Sequence, residues 1–392
     1  RFSLVLDRRA WRWAPGMVFR ISVPERNIFN AVLRVGKVTE AGGGNGRINV
    51  EAGLDVYGLP AASFILAQPQ EWIPPSRAAI IADKAVVREA NYAELVRALD
   101  PANLNIIAST AGFIGTVVGK PSALSQGYDL RVTPNGASSP NTGSGTFAPY
   151  VVSVDPISVT MEPVTFTFDE ASDIGLIEVG MAVQFGDEIG RLDDIDETFG
   201  TVTVARGCYD SIPSSHPADT TFFFVTDEVG SDRREYAAGE SLNVQVLPFT
   251  STSKLTPALA PVIPLAISGR QGRPYPPARV MVNGQHFSSA GPQLGDIVIT
   301  WAHRNRLVQQ DQLISHDEAS VSPEAGTTYT VRVYNGATLV RTVTTISGTT
   351  WTYTSPMRVA DGVVEQVTFE IESVRDDLIS FSKYRFNVVY AA

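Results

Sequence analysis

With one cysteine, Cys208, in 392 residues, the chain has no internal disulfide framework, and Arg206-Gly-Cys-Tyr-Asp210 offers no second thiol at metal-ligand spacing. No uninterrupted apolar run approaches the roughly 20 residues of a membrane-crossing helix. Histidine is scarce: His216, His286, His303 and His316 include no pair four apart and no HExxH, so a zinc site lacks its usual spacing. There is no Gly-x-Ser-x-Gly elbow, and Ser138-Ser139 and Ser214-Ser215, the latter beside His216, say nothing of triad geometry. Dense basic runs are missing as well. Arg8-Arg9 and Arg233-Arg234 come closest, far short of a nucleic-acid footprint.

What is present describes a globular, β-rich chain of several domains. The hydrophobic fraction is 44%, and the length is too great for one ordinary core, so three domains are expected. The net charge of −10 reads as spread along the sequence, so DNA would pass without specific binding. Arg1-Phe-Ser-Leu-Val-Leu6 already alternates apolar and polar residues, and the chain reads as a piece of a longer polypeptide.

Within residues 1–80, runs such as Met17-Val-Phe-Arg-Ile-Ser-Val23, Ala31-Val-Leu-Arg-Val35 and Arg47-Ile-Asn-Val-Glu51 alternate with period two and predict a β domain. The glycines at 42–46 read as a hairpin connection, since a phosphate cradle would need a helix directly after them. After Trp72-Ile-Pro-Pro75, residues 81–132 read as a short helical connector. Asn91 with Glu94 forms a capping-box pattern, Tyr92, Val96 and Leu99 share a face, and Asp100-Pro101 starts a second helical turn.

Residues 133–148 contain almost no large apolar side chain and predict an exposed loop or linker. Residues 149–250 return to strands, among them Pro163-Val-Thr-Phe-Thr-Phe168, Ala182-Val-Gln-Phe185, Thr201-Val-Thr-Val-Ala205, Thr221-Phe-Phe-Phe-Val225 and Ser241-Leu-Asn-Val-Gln-Val-Leu247, and predict a small barrel or sandwich. Residues 251–273, including Pro257-Ala-Leu-Ala-Pro-Val-Ile-Pro264, read as an extended linker. Residues 274–392 predict a seven-strand sandwich, with strands at 278–282, 296–301, 328–334, 338–346, 351–354, 364–373 and 384–389.

Pro276-Pro-Ala-Arg-Val280 leading to Ile297-Val-Ile-Thr-Trp301, then Thr328-Tyr-Thr-Val-Arg-Val-Tyr334, resembles a fibronectin type III domain, in which the tryptophan is a core residue. Phe369-Glu-Ile-Glu-Ser373 with Ser380-Phe-Ser382 resembles that family's final hairpin. Phe369 stands where many members carry the tyrosine corner.

A wider resemblance rests on Trp13-Ala-Pro-Gly-Met-Val-Phe19, Gly53-Leu-Asp-Val-Tyr-Gly-Leu-Pro60, Gly186-Asp-Glu-Ile189, Ala205-Arg-Gly-Cys-Tyr-Asp210 and His216. It continues through Tyr236-Ala-Ala-Gly-Glu-Ser241, Arg273-Pro-Tyr-Pro-Pro277 and Thr300-Trp-Ala-His-Arg-Asn-Arg306. In this order the segments resemble tail-tip hub proteins of long-tailed bacteriophages and gene-transfer particles. The resemblance implies a homotrimeric hub at the distal end of the tail of the virion. Such a hub closes the tail tube and anchors tube, distal tail and fibre components, with a host surface receptor or glycan as a further partner.

No residue is assigned a catalytic, cofactor-binding or metal-ligating role, and the chain reads as a non-enzyme. Asp193-Asp-Ile-Asp196 with Glu197 lacks the glycine and terminal glutamate of an EF-hand and reads as a solvated turn before the strand at Thr201. Trp11, Trp13 and Trp72 could stack on a sugar, yet their alternation with apolar residues favours core packing, as it does for Trp301 and Trp351. Two alternatives stay open: a carbohydrate- or receptor-binding module displaying the loops at 133–148 and 286–295, and an envelope-degrading glycosidase with two carboxylates across a cleft.

Overall fold

Alternating side chains in Phe2–Leu6 (β1), Val18–Val23 (β2), Ile28–Glu40 (β3) and Ile48–Leu54 (β4) give one face of a sheet to a core and the other to water. The computed structural model describes residues 1–40, 46–55, 76–225 and 229–391; the readings on Trp72-Ile-Pro-Pro75, on residues 56–60 and on most of the glycine loop fall outside them. It divides into two compact units, Arg1–Ser76 and Arg77–Ala392.

The first unit is an antiparallel sheet ordered β1-β4-β3-β2. A short 3₁₀ helix, Arg8–Arg12, starts where the Asp7 side chain accepts from the Arg9 amide, and Ala10 drops onto Val35, Ile48 and Val50. Trp13 packs on Phe19 with ring centroids 4.6 Å apart. Trp11 departs from the core expectation: it is 65% exposed, with the Arg12 guanidinium over its ring.

Three β modules make up the second unit. In the first, Ala85–Glu89 (β5) pairs with Ile114–Val118 (β7), and Ala111–Gly112 (β6) pairs with a strand far downstream, Tyr236–Ala237 (β16). Its main sheet sets Gly127–Pro134 (β8) beside Asn141–Gly145 (β9) on one side and Ser241–Phe249 (β17) on the other, with Ile263–Ala266 (β18) outermost. Ile114, Tyr128, Leu130, Val132, Leu242 and Val244 form its core.

Three expectations are corrected here. Residues 81–132 hold two helices, Tyr92–Ala98 (α1) and Pro101–Ile106 (α2), but these are insertions between strands of a β module. The expected capping box is in place, with the Asn91 side chain accepting from the Glu94 amide and Glu94 from the Asn91 amide, each at 3.0 Å. Residues 133–148 are not all loop: β9 forms through backbone pairing, and a Cβ at Gly143 would strike Asp232, so its glycines serve close approach rather than flexibility. Residues 251–273 contain β18 and a buried turn, Arg270–Gly272.

The second module is a closed six-stranded barrel, ordered Tyr150–Ser153 (β10), Val164–Ser172 (β11), Thr201–Ala205 (β14), Glu188–Asp196 (β13), Ala182–Phe185 (β12) and Thr221–Val225 (β15). Phe222 fills its axis, 4.3 Å from the Phe166 ring and 4.5 Å from Phe185. The third module sets the sheet of Ala278–Val282 (β19), Gln285–His286 (β20), Ile297–Ala302 (β21) and Thr350–Tyr353 (β24) against a second sheet. That sheet comprises Thr328–Asn335 (β22), Thr338–Ile346 (β23), Gln366–Arg375 (β25), Leu378–Ile379 (β26) and Tyr384–Val389 (β27). Trp301, Tyr329, Tyr353, Phe369 and Phe386 meet between the sheets, giving a two-sheet β sandwich. The chain is therefore mainly β.

Candidate functional site

The modules of the second unit meet over buried and half-buried arginines, each held by acceptors from another stretch of sequence. Arg206 closes the barrel: its guanidinium donates to both oxygens of Glu188, at 2.6 and 2.7 Å, and to the Ser158 carbonyl at 3.0 Å. Glu188 also accepts from the Gly207 amide (3.2 Å) and the Ser214 amide (2.9 Å). Burial alone would raise this carboxyl, but Arg206 and His216 hold it below the usual carboxylate range. Gly207 has φ +61°, and a Cβ there would stand 2.6 Å from Pro213, so glycine is required at the turn that delivers Arg206.

Arg270 performs the same task between modules. It donates bidentately to Asp210 of the barrel at 2.6 and 2.8 Å, and to the Glu89 carbonyl of β5 at 3.1 Å. Arg88 of β5 forms a fork with Glu94 of α1 and donates to Gln184 of β12 at 2.9 Å. Arg306, at the edge of the sandwich, pairs with Glu324, donates to the Gln271 carbonyl and lies 4.5 Å over the Tyr92 ring of α1. Arg191 of β13 reaches the Leu313 carbonyl and Glu318. The segment expected as a linker is thus the junction.

Ser214, His216 and Glu188 do come together, but not as a relay. Ser214 Oγ (3.0 Å) and Glu188 Oε2 (2.9 Å) meet the same ring nitrogen, His216 Nε2, whereas a triad places base and orienting acid on opposite nitrogens. Burial pushes the Cys208 thiol far above its usual value, so it is held as the neutral thiol.

The other histidines bring a pairing that their sequence spacing conceals. His286 Nε2 and His316 Nε2 lie 2.7 Å apart, and His316 Nδ1 meets the Tyr384 hydroxyl at 2.7 Å. Burial pushes His286 down to about 4 and holds His316 well below its ordinary value. One neutral ring donates to the other, which ties β20 of the sandwich to the loop that reaches the barrel, where the His316 amide donates to the Arg206 carbonyl at 2.8 Å. His286 therefore belongs to the interior rather than to a displayed loop.

A cleft of about 670 Å³ opens beside α1. Leu95, Ala98, Leu99, Phe113, Val229 and Phe249 give it apolar walls, and Arg97, Arg233, Ser144, Thr146 and Ser231 supply polar groups. Its carboxylates are Glu94, locked by Arg88, and Asp129, paired with Lys254. Size and lining suit a small ligand or a short peptide segment. Elsewhere, Asp193 pairs with Arg191 and Asp196 accepts from the Thr198 and Phe199 amides, so the acidic run shapes a hairpin tip. Trp301 is core and Trp351 packs at the core's edge.

No protein-family model matches this chain, and no curated protein matches it. Among solved structures, the FN1-FN3 domains of chicken CNTN1 align over 72% of this chain and 95% of that chain, at 10% identity and a TM-score of 0.19. What the strands themselves define is a protein of linked β modules.

Proposed function

We propose that this chain is a structural component of the tail tip of a long-tailed bacteriophage or gene-transfer particle, anchoring neighbouring tail, fibre or receptor-binding proteins. One observation carries the reading: within the second unit, the segments at 186–189, 205–210, 216, 273–277 and 300–306 that resemble tail-tip hubs meet at the module junctions. Glu188, Arg206 and His216 close the barrel and Asp210 binds Arg270, while Arg273, Arg304 and Arg306 hold the sandwich edge through the carbonyls of Ser268, Ser315 and Gln271. A protein that transmits load between neighbours needs fixed joints between its modules, and buried bidentate arginine pairs provide directional ones. A density map of the intact particle tests this: the chain should lie at the distal end of the tail. Finding it absent from particles, or seeing the purified protein release fragments from host polysaccharide, would refute the assignment.

A receptor- or glycan-binding role is the second reading, favoured by the cleft, whose wall includes Ser144 and Thr146 from the stretch expected to be displayed. Glycan-array binding that is lost in Arg97→Glu would support it; an array without any signal would count against it.

A further inference from the structure

The negative charge is not spread along the chain. Residues 149–225 hold fourteen Asp and Glu against two basic residues, Arg191 and Arg206, a net of −12 within a chain of −10. The remainder is therefore slightly basic. Residues 1–76 hold nine Arg and Lys against six Asp and Glu, a net of +3.

On the barrel, the charge surrounds an apolar tip. Strands β11 and β13 both run antiparallel to β14, and β12 runs antiparallel to β13, so the end of β11, the β13–β14 turn and the start of β12 share one end of the barrel. That end exposes Leu176 (62%), Val179 (63%) and Phe199 (78%), and Asp173, Glu178, Asp194 and Glu197 beside them are exposed too. A soluble barrel gains nothing from a bare phenylalanine at a hairpin tip, and an acidic collar repels anionic membranes and nucleic acids.

The complementary surface lies on the first unit. Its 3₁₀ helix presents Trp11 (65% exposed) among Arg8, Arg9 and Arg12, all exposed, and Phe29 is also 65% exposed. Trp and Arg are the residue types that dominate interface hot spots, and an apolar centre within a charged rim is their usual setting.

We infer that the acidic barrel tip around Phe199 docks on the Arg8–Arg12 segment of a second copy of this chain. The two patches differ, so the contact is heterologous: copies join head to tail, and the assembly closes as a ring or extends. The inference rests on the structural role proposed above and names the surfaces it would use.

Sedimentation of the full chain over a range of concentration and salt tests it. The expected result is reversible self-association that weakens as salt rises, because both rims are exposed and screened. Asp194→Lys with Glu197→Lys, or Arg8→Glu with Arg12→Glu, should each weaken association about tenfold or more, and mixing the two charge-reversed proteins should restore it. Phe199→Ser and Trp11→Ser should act in the same direction without altering the unfolding midpoint, since both side chains are exposed. A monomer at every concentration, association indifferent to these substitutions, or no rescue on mixing would overturn the inference. The tail-tip assignment would survive any of these if the chain is found at the tail end of the particle.

Discussion

The barrel and the sandwich are β modules of one unit, yet they place their charges in opposite ways. The barrel seals a carboxylate inside, with Glu188 and Arg206 both at 1% exposure or less, and leaves its outer face acidic. The sandwich fills its interior with aromatic and β-branched side chains and carries its charges on the face of a sheet turned away from that core, where Glu370 and Glu372 are nonetheless covered. There Arg332 bridges Glu370 and Glu372 while Lys383 reaches Glu370. The barrel therefore depends on a polar closure whose members need one another, and the sandwich on packing.

The sharpest way to break this contrast is to remove one element of each interior. Arg206→Met takes the bidentate cation from Glu188, leaving it with His216 and the Gly207 and Ser214 amides, and should cost roughly 3–5 kcal/mol, and Phe369→Ala should cost a similar amount by leaving a cavity between the sheets. The two should then respond differently to a second change. Adding Glu188→Leu to Arg206→Met should recover part of the loss, because the buried charge goes while His216 and the Gly207 and Ser214 amides lose their acceptor, whereas no partner substitution refills the Phe369 cavity. Denaturant unfolding of the four proteins measures this. Equal recovery in both modules would remove the distinction.

Acid should separate the two mechanisms in sequence. His286 is held down to about 4 by burial, below the roughly 6.5 of an unfolded histidine. A depressed folded value means the unfolded chain binds the proton more readily, so the stability is present above about pH 6.5 and lost as pH falls toward 4. The loss is at most about 3 kcal/mol for His286. Glu94 and Glu188 are held below the carboxylate range, so their contribution is present above about pH 4.5 and is lost only on further acidification. Melting the protein at closely spaced pH values should show the histidine step first, and His316→Gln should flatten that step while leaving the lower one. A single step that ignores the substitution would contradict the assignment.

Much of the strand pattern was legible because it is local. The strands at 278–282, 338–346 and 384–389 fall where alternation predicts them, and Asn91 with Glu94 marks the start of α1. Strand β9 was hidden because Asn-Thr-Gly-Ser-Gly carries no apolar period; its order comes from backbone pairing with β8. Strand β18 was hidden by proline, which an outermost strand tolerates at a position that needs no donor. The junction could not be read at all, since Glu89 and Arg270 are 181 residues apart and the pairing of His286 with His316 spans 30. Such contacts follow from where the modules meet, which no local period encodes. The segregation of acidic residues into 149–225, by contrast, is visible in the sequence itself.

The smallest expected effect tests whether the outer charges of the sandwich matter to it. Glu372 is 1% exposed, its Oε1 accepts from Arg332 at 2.7 Å, and its Oε2 has no hydrogen-bond partner among the described residues. Glu370 has Lys383 at 3.1 Å as well as Arg332, so it stays paired when Arg332 is lost. Arg332→Met should therefore cost only about 1–3 kcal/mol, nearly all of it from stranding Glu372, and adding Glu372→Gln should return most of that. If Arg332→Met instead matched Arg206→Met in size, the outer ladder would be a second closure of the barrel's kind. The sandwich would then owe its stability to charge as much as to packing.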